Sequence, residues 1–137
     1  MYCTEADLIT RFGSEITELA DRDGDNSADA GVIDNAISDA SALIDGYLSS
    51  RYSVPVSPAP VLIVGLACDI SRRKLFTDRA PEQVQRAFDS ALSVLRDNAN
   101  GRGNIDAAKA DATTPSSGSF AVSAPDRVFS DSALTGF

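Results

Sequence analysis

The sequence contains no histidine and no tryptophan, and it has only two cysteines and one methionine in 137 residues. Without histidine, the chain lacks the most common general base and the most common zinc ligand, so most ways of activating a nucleophile are excluded. No glycine-rich phosphate loop and no serine in a nucleophile elbow takes their place. We therefore expect no enzymatic activity.

The two cysteines, Cys3 and Cys68, are too few for a disulfide framework. Both have apolar neighbours, which predicts buried thiols in a reducing compartment. Long apolar runs are also missing: the most apolar stretch, residues 61–76, would form a helix about 24 Å long, which is short of a bilayer. The N-terminus lacks the basic-then-apolar order of a signal peptide. Length and composition predict one soluble globular domain.

Positive charge is scarce in the first half of the chain. The formal net charge is −8, and residues 1–60 carry eleven acids and three bases, whereas residues 61–137 carry nine of each. Such a chain is a poor general binder of nucleic acid, because phosphate neutralisation needs clustered lysine and arginine. An uneven charge suits docking between unlike faces, and a merely solvated acidic surface explains it equally well.

Apolar residues recur at helical spacing, so we expect an all-α fold, a small bundle of about four to five helices with an extended C-terminal arm. In the first helix Thr4 is a good N-cap with Asp7 as its capping-box partner, and Gly13 ends the helix. The predicted helical segments are residues 4–12, a short turn capped by Ser14, residues 30–52, residues 61–76, and a helix that begins at Pro81 and ends at the Gly101–Gly103 turn.

The segment 61–76 is the predicted core helix. It follows Pro60 and is apolar on all sides over most of its length, which is typical of a helix in the middle of a bundle. Its far end changes abruptly to a basic cluster of Arg72, Arg73 and Lys74, with Arg79 close behind. This cluster is either an interface or DNA patch, or a complement to the negative end of the helix dipole.

An aspartate-rich loop precedes the third predicted helix. Asp21, Asp23, Asp25 and Asp29 occupy positions 1, 3, 5 and 9 of a calcium-binding EF-hand loop. Position 6, which is normally glycine, is Asn26, and position 12, which is normally a bidentate glutamate, is Val32. We therefore expect no strong calcium site. The alternative is a turn rich in Asx hydrogen bonds, in which Asp29 caps the next helix.

The composition changes after the last predicted helix. We expect residues 1–103 to form the bundle domain, residues 104–119 a flexible polar tether with Ile105 as its one large apolar residue, and residues 120–137 a docking arm. Fully extended, the stretch after residue 103 would span about 110 Å. The alternative is a tail that packs back on its own bundle. The apolar side chains of the arm are Phe120, Val122, Val128, Phe129, Leu134 and Phe137.

Five segments in order resemble the Mu-like phage head–tail connector, or adaptor, proteins. They are the opening Met1–Gly13, Thr17–Asp25, Ile44–Tyr52 (Ile-Asp-Gly-Tyr-Leu-Ser-Ser-Arg-Tyr), Leu66–Arg72 (Leu-Ala-Cys-Asp-Ile-Ser-Arg) and the closing Arg127–Phe137. The resemblance implies a helical adaptor that forms a ring beneath the portal and continues the DNA channel towards the tail. It implies no catalysis and no cofactor.

The partners implied by this resemblance are further copies of the chain in a ring matching the twelve-fold portal, the portal protein, the next neck or stopper protein, and passing DNA without sequence specificity. No membrane is involved, and the expected location is the virion neck, with host cytoplasm during assembly. The interface candidates are Arg72, Arg73, Lys74, Arg79 and the six apolar arm residues. The channel-facing candidates are Asp34, Asp39 and Asp45, whose carboxylates would repel a passing duplex.

Two other classes of function stay open from the residues alone. A helical DNA-binding packaging or regulatory factor needs a basic recognition helix, and the one basic cluster here is three residues long in an acidic chain. A calcium-responsive interaction domain would depend on Asp21, Asp23 and Asp25.

Overall fold

The computed structural model describes residues 1–105, and within them the chain forms five α-helices and no β-strand. The predicted all-α bundle is confirmed. No helix among these residues is long and apolar enough to cross a membrane. The helices are α1 (Glu5–Phe12), α2 (Glu15–Ala20), α3 (Val32–Leu48), α4 (Val61–Leu75) and α5 (Glu82–Ala99).

The first helix begins and ends as its sequence predicts. The Thr4 hydroxyl accepts a hydrogen bond from the Asp7 amide at 3.2 Å, and the Asp7 carboxylate accepts one from the Thr4 amide at 2.9 Å. Gly13 has a φ of 71° and donates its N–H to the Ile9 carbonyl. Ser14, in contrast, makes no capping bond to α2: its backbone is helical (φ −68°, ψ −14°) rather than extended as an N-cap requires, and its hydroxyl donates to the Glu18 carboxylate.

Helix α3 is shorter than predicted at both ends. It starts after Gly31, whose φ of 82° is a left-handed conformation that favours glycine. The predicted cap at Asp29 is wrong, because the Asp29 carboxylate accepts a hydrogen bond from the Arg22 amide at 2.7 Å. At the other end the helix stops at Leu48, and Tyr52 then returns to the core as a fully buried residue outside any helix.

Helix α4 contacts all four other helices and packs most extensively on α3 and α5, which also contact each other. At one end of the bundle, the last turn of α4 meets the start of α5, where the Arg73 guanidinium donates to the Gln85 side chain at 2.7 Å. At the other end, Ser50 just after α3 donates to the Ala99 carbonyl at the end of α5. Thus α4 runs antiparallel to its two large neighbours.

The core is built around α4, as predicted, but the first turn of α4 is not part of it. Ile63, Ala67 and Ile70 are completely buried, whereas Val61 is 81% exposed and Leu62 is 46% exposed. The expectation of an apolar surface buried all round is therefore wrong for this turn. The physical reason is where α1 packs: Cys3, just before α1, lies 3.7 Å from Ser71, and Phe12 at its end contacts Arg72, so these contacts lie near the end of α4 and not on its first turn.

Tyr2 ties the N-terminus to two distant segments. Its hydroxyl donates to the Asp45 carboxylate and accepts from the Val56 amide at 2.8 Å, and its own amide donates to the Ser41 hydroxyl at 3.1 Å. Burial, followed by the hydrogen bond to Asp45, raises the pKa of Tyr2 to about 12. These bonds hold the proline-rich connection between α3 and α4 against the bundle.

The packed part of the chain extends past the Gly101–Gly103 turn. Ile105 is only 3% exposed, and its amide donates to the Tyr52 hydroxyl at 3.4 Å. The sequence places this residue in the polar tether, whereas the structure places its side chain in the core cluster. Ile105 lies at the end of the bundle formed by the C-termini of α3 and α5, which we call the exit end.

Candidate interaction surfaces

The four basic interface candidates have different surroundings. Arg72 donates two hydrogen bonds to the Glu15 carboxylate at 2.6 and 2.9 Å, and its guanidinium stacks over the Phe12 ring at 4.5 Å. Its side chain is only 16% exposed. Since these contacts join α4 to α1 and α2, Arg72 stabilises its own bundle, and docking to another molecule would have to compete with them.

Arg73 also has an internal contact, since it donates to Gln85, which in turn donates to the Asp89 carboxylate at 3.0 Å. Lys74 and Arg79 are exposed. Their side chains make no ion pair or hydrogen bond within residues 1–105. All the cations in the last turn of α4 are also well placed for the negative end of its dipole.

An open groove surrounds the last turn of α4, between the first half of α3 and the start of α5. Three cations and one carboxylate line it together with apolar side chains, so it is locally positive on a chain of net charge −8. We call it the α4-end groove; it is lined by Arg22, Val32, Asn35, Ala36, Asp39, Arg73, Lys74, Leu75 and Phe88.

Arg22 is a member of this groove that the sequence did not reveal. Its guanidinium donates to the Leu75 carbonyl at 3.3 Å, which satisfies one of the unpaired carbonyl groups at the end of α4. Arg22 stands in the aspartate-rich loop, so its linear neighbours are acidic, and only the fold brings it beside Lys74. Its sole signal in the sequence is that it is the one cation in that acidic run.

The three channel-facing candidates do not share one face of α3. At 3.6 residues per turn, Asp34 and Asp45 lie within about 20° of each other and Asp39 about 140° away from Asp34. Asp39 lines the α4-end groove, and Asp45 accepts the hydrogen bond from Tyr2. Asp34 and Asp39 are exposed and Asp45 is half-buried. That these residues face a channel stays a prediction.

The aspartate-rich loop brings four carboxylates together: oxygen atoms of Asp21, Asp23, Asp25 and Asp29 lie within 4.8 Å of one another. The predicted turn rich in Asx bonds is confirmed, because the Asp21 carboxylate accepts from the amides of Gly24, Asp25 and Asn26 at 2.6, 3.1 and 2.8 Å.

One of the two objections to a cation site is removed by this geometry. Asn26 has a φ of 68°, so it adopts the left-handed conformation that glycine normally supplies at loop position 6. The other objection holds, because Val32 occupies position 12 at the start of α3 and offers no ligand oxygen from its side chain. The loop thus resembles a cation-binding loop that lacks its closing bidentate carboxylate.

Both cysteines are free and buried, as predicted. The Cys3 sulfur lies 3.7 Å from the Ser71 hydroxyl oxygen. Hydrogen bonding to Cys3, together with burial, raises the pKa of the Cys68 thiol. A buried thiol with a raised pKa is a poor nucleophile, so Cys68 serves packing.

The six apolar arm candidates, Phe120, Val122, Val128, Phe129, Leu134 and Phe137, lie outside the described residues, as does the greater part of the predicted tether.

The class of protein is defined by a family model described as "Bacteriophage Mu, Gp36", which matches residues 2–124. Because this match covers most of the sequence, the chain belongs to that family. The Mu-like prophage FluMu protein gp36 of Haemophilus influenzae is 29% identical over 102 residues, which are 74% of this chain and 72% of the relative. Gene product J of Escherichia phage Mu is 28% identical over 103 residues, 74% of this chain and 73% of the relative. The resemblance to a Mu-like phage protein is confirmed.

Proposed function

We propose that this phage protein is a head–tail connector: it forms a ring of identical copies beneath the portal, extends the DNA channel and joins the head to the tail. Its partners are further copies of itself, the portal protein and the next protein of the neck. DNA passes through the ring without being read.

The observation that carries the proposal is the extent of the family match. It spans residues 2–124, so it includes the whole described bundle and continues well beyond Ile105. The match therefore includes both the helical body of this chain and the polar residues that follow it in the sequence, and such a combination suits an adaptor that touches several neighbours. No group of side chains described above supplies a general base and a nucleophile together.

The charge distribution supports the same role. The α4-end groove is positive, whereas residues 1–105 together carry sixteen acids and ten bases, so their excess of acid lies outside the groove. A ring needs heterologous contacts, in which one face of a subunit meets a different face of the next. Unlike charges on different faces favour such contacts over contacts between like faces.

Deleting the gene from an inducible prophage that encodes this chain tests the proposal. We expect lysates in which DNA-filled heads and free tails accumulate separately, as seen by negative-stain electron microscopy. Purified full-length protein added to these heads and tails should restore tailed particles. A variant with the internal pair removed, Arg72→Met, serves as a stability control, because it perturbs the bundle without touching the α4-end groove.

Two results would overturn the proposal. Normal tailed particles from the deletion strain would show that the protein is dispensable for joining. Empty heads would point instead to the packaging factor considered above. In that case DNA binding by the purified chain should weaken steeply with salt, because phosphate contacts release counterions.

A further inference from the structure

The α4-end groove combines positive charge with apolar side chains. Lys74 and Arg73 stand on one side of it, and Phe88 and Val32 offer half-buried apolar surface within it. Its two adjoining hollows hold about 340 and 270 Å³. The chemistry that fits such a groove is a peptide with apolar anchors and one or two carboxylates.

Few parts of the described chain could supply those anchors. Among residues 1–105 the exposed large apolar side chains are Met1, Ile9, Val54, Val61 and Leu62. Met1, Ile9 and Val54 are isolated from one another, and Val61 and Leu62 are adjacent but lie within the first turn of α4. None of the five stands with a second apolar residue and a carboxylate outside a helix. The segment 120–137 has this composition: Val128 and Phe129 stand between Asp126 and Asp131, and further apolar residues lie on both sides.

The place where the described residues end, at Ile105, limits which grooves the segment 120–137 can reach. Ile105 is fixed at the exit end beside Tyr52, whereas the groove lies at the opposite end of α4, about 22 Å away for a fifteen-residue helix. The fourteen residues 106–119 span at most about 50 Å when extended. This length suffices to reach the groove of the same copy, and also that of any second copy whose groove lies within about 50 Å of Ile105.

We propose that residues 120–137 of one copy bind in the α4-end groove of a second copy. The donor segment leaves from one end of the bundle and the acceptor groove lies at the other end, so the contact is heterologous and can continue from copy to copy until a ring closes. The inference rests on the proposed function in one respect: the ring described there is the assembly that such contacts would close, although the contact itself needs only two copies of the chain.

The carboxylates of the segment 120–137 complement the positive charge of the groove. Asp126 and Asp131 meet a groove in which three cations outnumber the single carboxylate of Asp39. Lys74 is the cation best placed to pair with them, because its side chain is exposed and makes no ion pair or hydrogen bond with any residue from 1 to 105. The apolar residues between the two aspartates pack on Phe88.

Zero-length carbodiimide cross-linking of the full chain tests the contact directly. Only Lys74 and Lys109 carry side-chain amines, so few products form. Equal amounts of ¹⁴N- and ¹⁵N-labelled protein are mixed, cross-linked and digested. Mass spectrometry should find peptides that link Lys74 to Asp126 or Asp131 with mixed isotope labels. Links with one label only would mean that the segment folds back on its own bundle, and the absence of such links would mean that it binds elsewhere; either result overturns the inference.

Charge reversal gives a second readout by sedimentation velocity. Lys74→Glu and Asp131→Lys should each weaken self-association at least about tenfold, because like charges then face each other. A mixture of the two variants should recover association, since each supplies the complement that the other lacks. The matched control is Arg96→Glu, which makes the same change of charge at an exposed position on α5 away from the groove. Equal loss in the control, or no recovery in the mixture, would overturn the inference.

The two proposals fail separately. If mixed-label links are absent but added protein still joins heads to tails, the connector function stands and the docking site is wrong. If the links form but tailed particles assemble without the protein, the docking site stands and the connector function is wrong.

Discussion

The two ends of α4 contradict the expectation that apolar residues are buried and charged residues are exposed. Val61 in the first turn is 81% exposed, whereas the Arg72 side chain near the last turn is only 16% exposed. The difference comes from the neighbours: Glu15 and Phe12 cover Arg72, while the short α1 covers no more than the later part of this side of α4. A long cationic side chain can bury its stem and keep hydrogen bonds for its head, so a basic residue can bridge helices.

The largest expected difference in the free energy of unfolding is between substitutions of two leucines on α4. Leu66→Ala should lower the free energy of unfolding by about 2–5 kcal/mol, because Leu66 is buried and its loss leaves a cavity. Leu62→Ala, one turn earlier, should cost less than about 0.5 kcal/mol, because Leu62 is already half in water. Urea denaturation of both variants measures the difference. Equal losses would mean that the first turn of α4 is covered in solution.

The next prediction compares Ile105 and Val61, two aliphatic residues at the exit end whose burial is the reverse of what the sequence predicts. Ile105→Ala should cost about 2–3 kcal/mol, the low end of the range for a buried isoleucine, since the residue lies at the edge of the core. Val61→Ala should be close to neutral. Thermal unfolding followed by circular dichroism compares them. If Ile105→Ala is as mild as Val61→Ala, residues after the last helix do not contribute to the bundle.

A smaller difference in stability is expected when each of two ion pairs is broken. Arg72→Met removes the charge that satisfies the partly buried Glu15 and should cost about 1–3 kcal/mol. Arg86→Met breaks an exposed pair with Glu82 within α5 and should cost about 0.5 kcal/mol or less. Denaturation at low and high salt gives both values. A large loss for Arg86→Met, or a negligible one for Arg72→Met, would undermine the assignment of Arg72 to the packing of its own bundle.

The smallest effect concerns the aspartate-rich loop, which adjoins the basic end of α4 through Arg22. At micromolar free calcium we expect the melting temperature to rise by less than about 1 °C, because position 12 of the loop has no carboxylate and ligand linkage is then weak. Asp21→Asn is the control. A rise of several degrees that this variant abolishes would establish a tight site.

The local features of the fold were predictable because they depend on adjacent residues. Thr4, Asp7 and Gly13 delimit α1 through bonds that span three or four positions, and the apolar spacing of α3 and α5 fixes their buried faces. The exposure of Val61 and the burial of Ile105 were not predictable in this way. The exposure of Val61 depends on which elements pack along α4, and the burial of Ile105 depends on Tyr52, which is more than fifty positions away.

The candidate surface was predictable in part. The basic run in the last turn of α4 marks the position of the groove, but it does not separate Arg72, which is bound internally, from Lys74, which is exposed. Arg22 and Phe88 join the groove only through packing of different helices. No local rule applied to an isolated segment supplies that information, because it concerns which faces meet.

The contacts of Tyr2 and its neighbour determine when the N-terminus can be fixed in place during synthesis of the chain. The Tyr2 hydroxyl can accept its hydrogen bond from the Val56 amide only after Val56 has been synthesised. The neighbouring Cys3 can contact Ser71 only after the chain has grown by 68 residues beyond Cys3. At roughly 5–20 residues per second, a ribosome takes on the order of 3–14 s to produce that length. During this interval the site that holds Tyr2 and Cys3 is incomplete. The N-terminus is therefore made first but is fixed in place only after most of α4 has emerged.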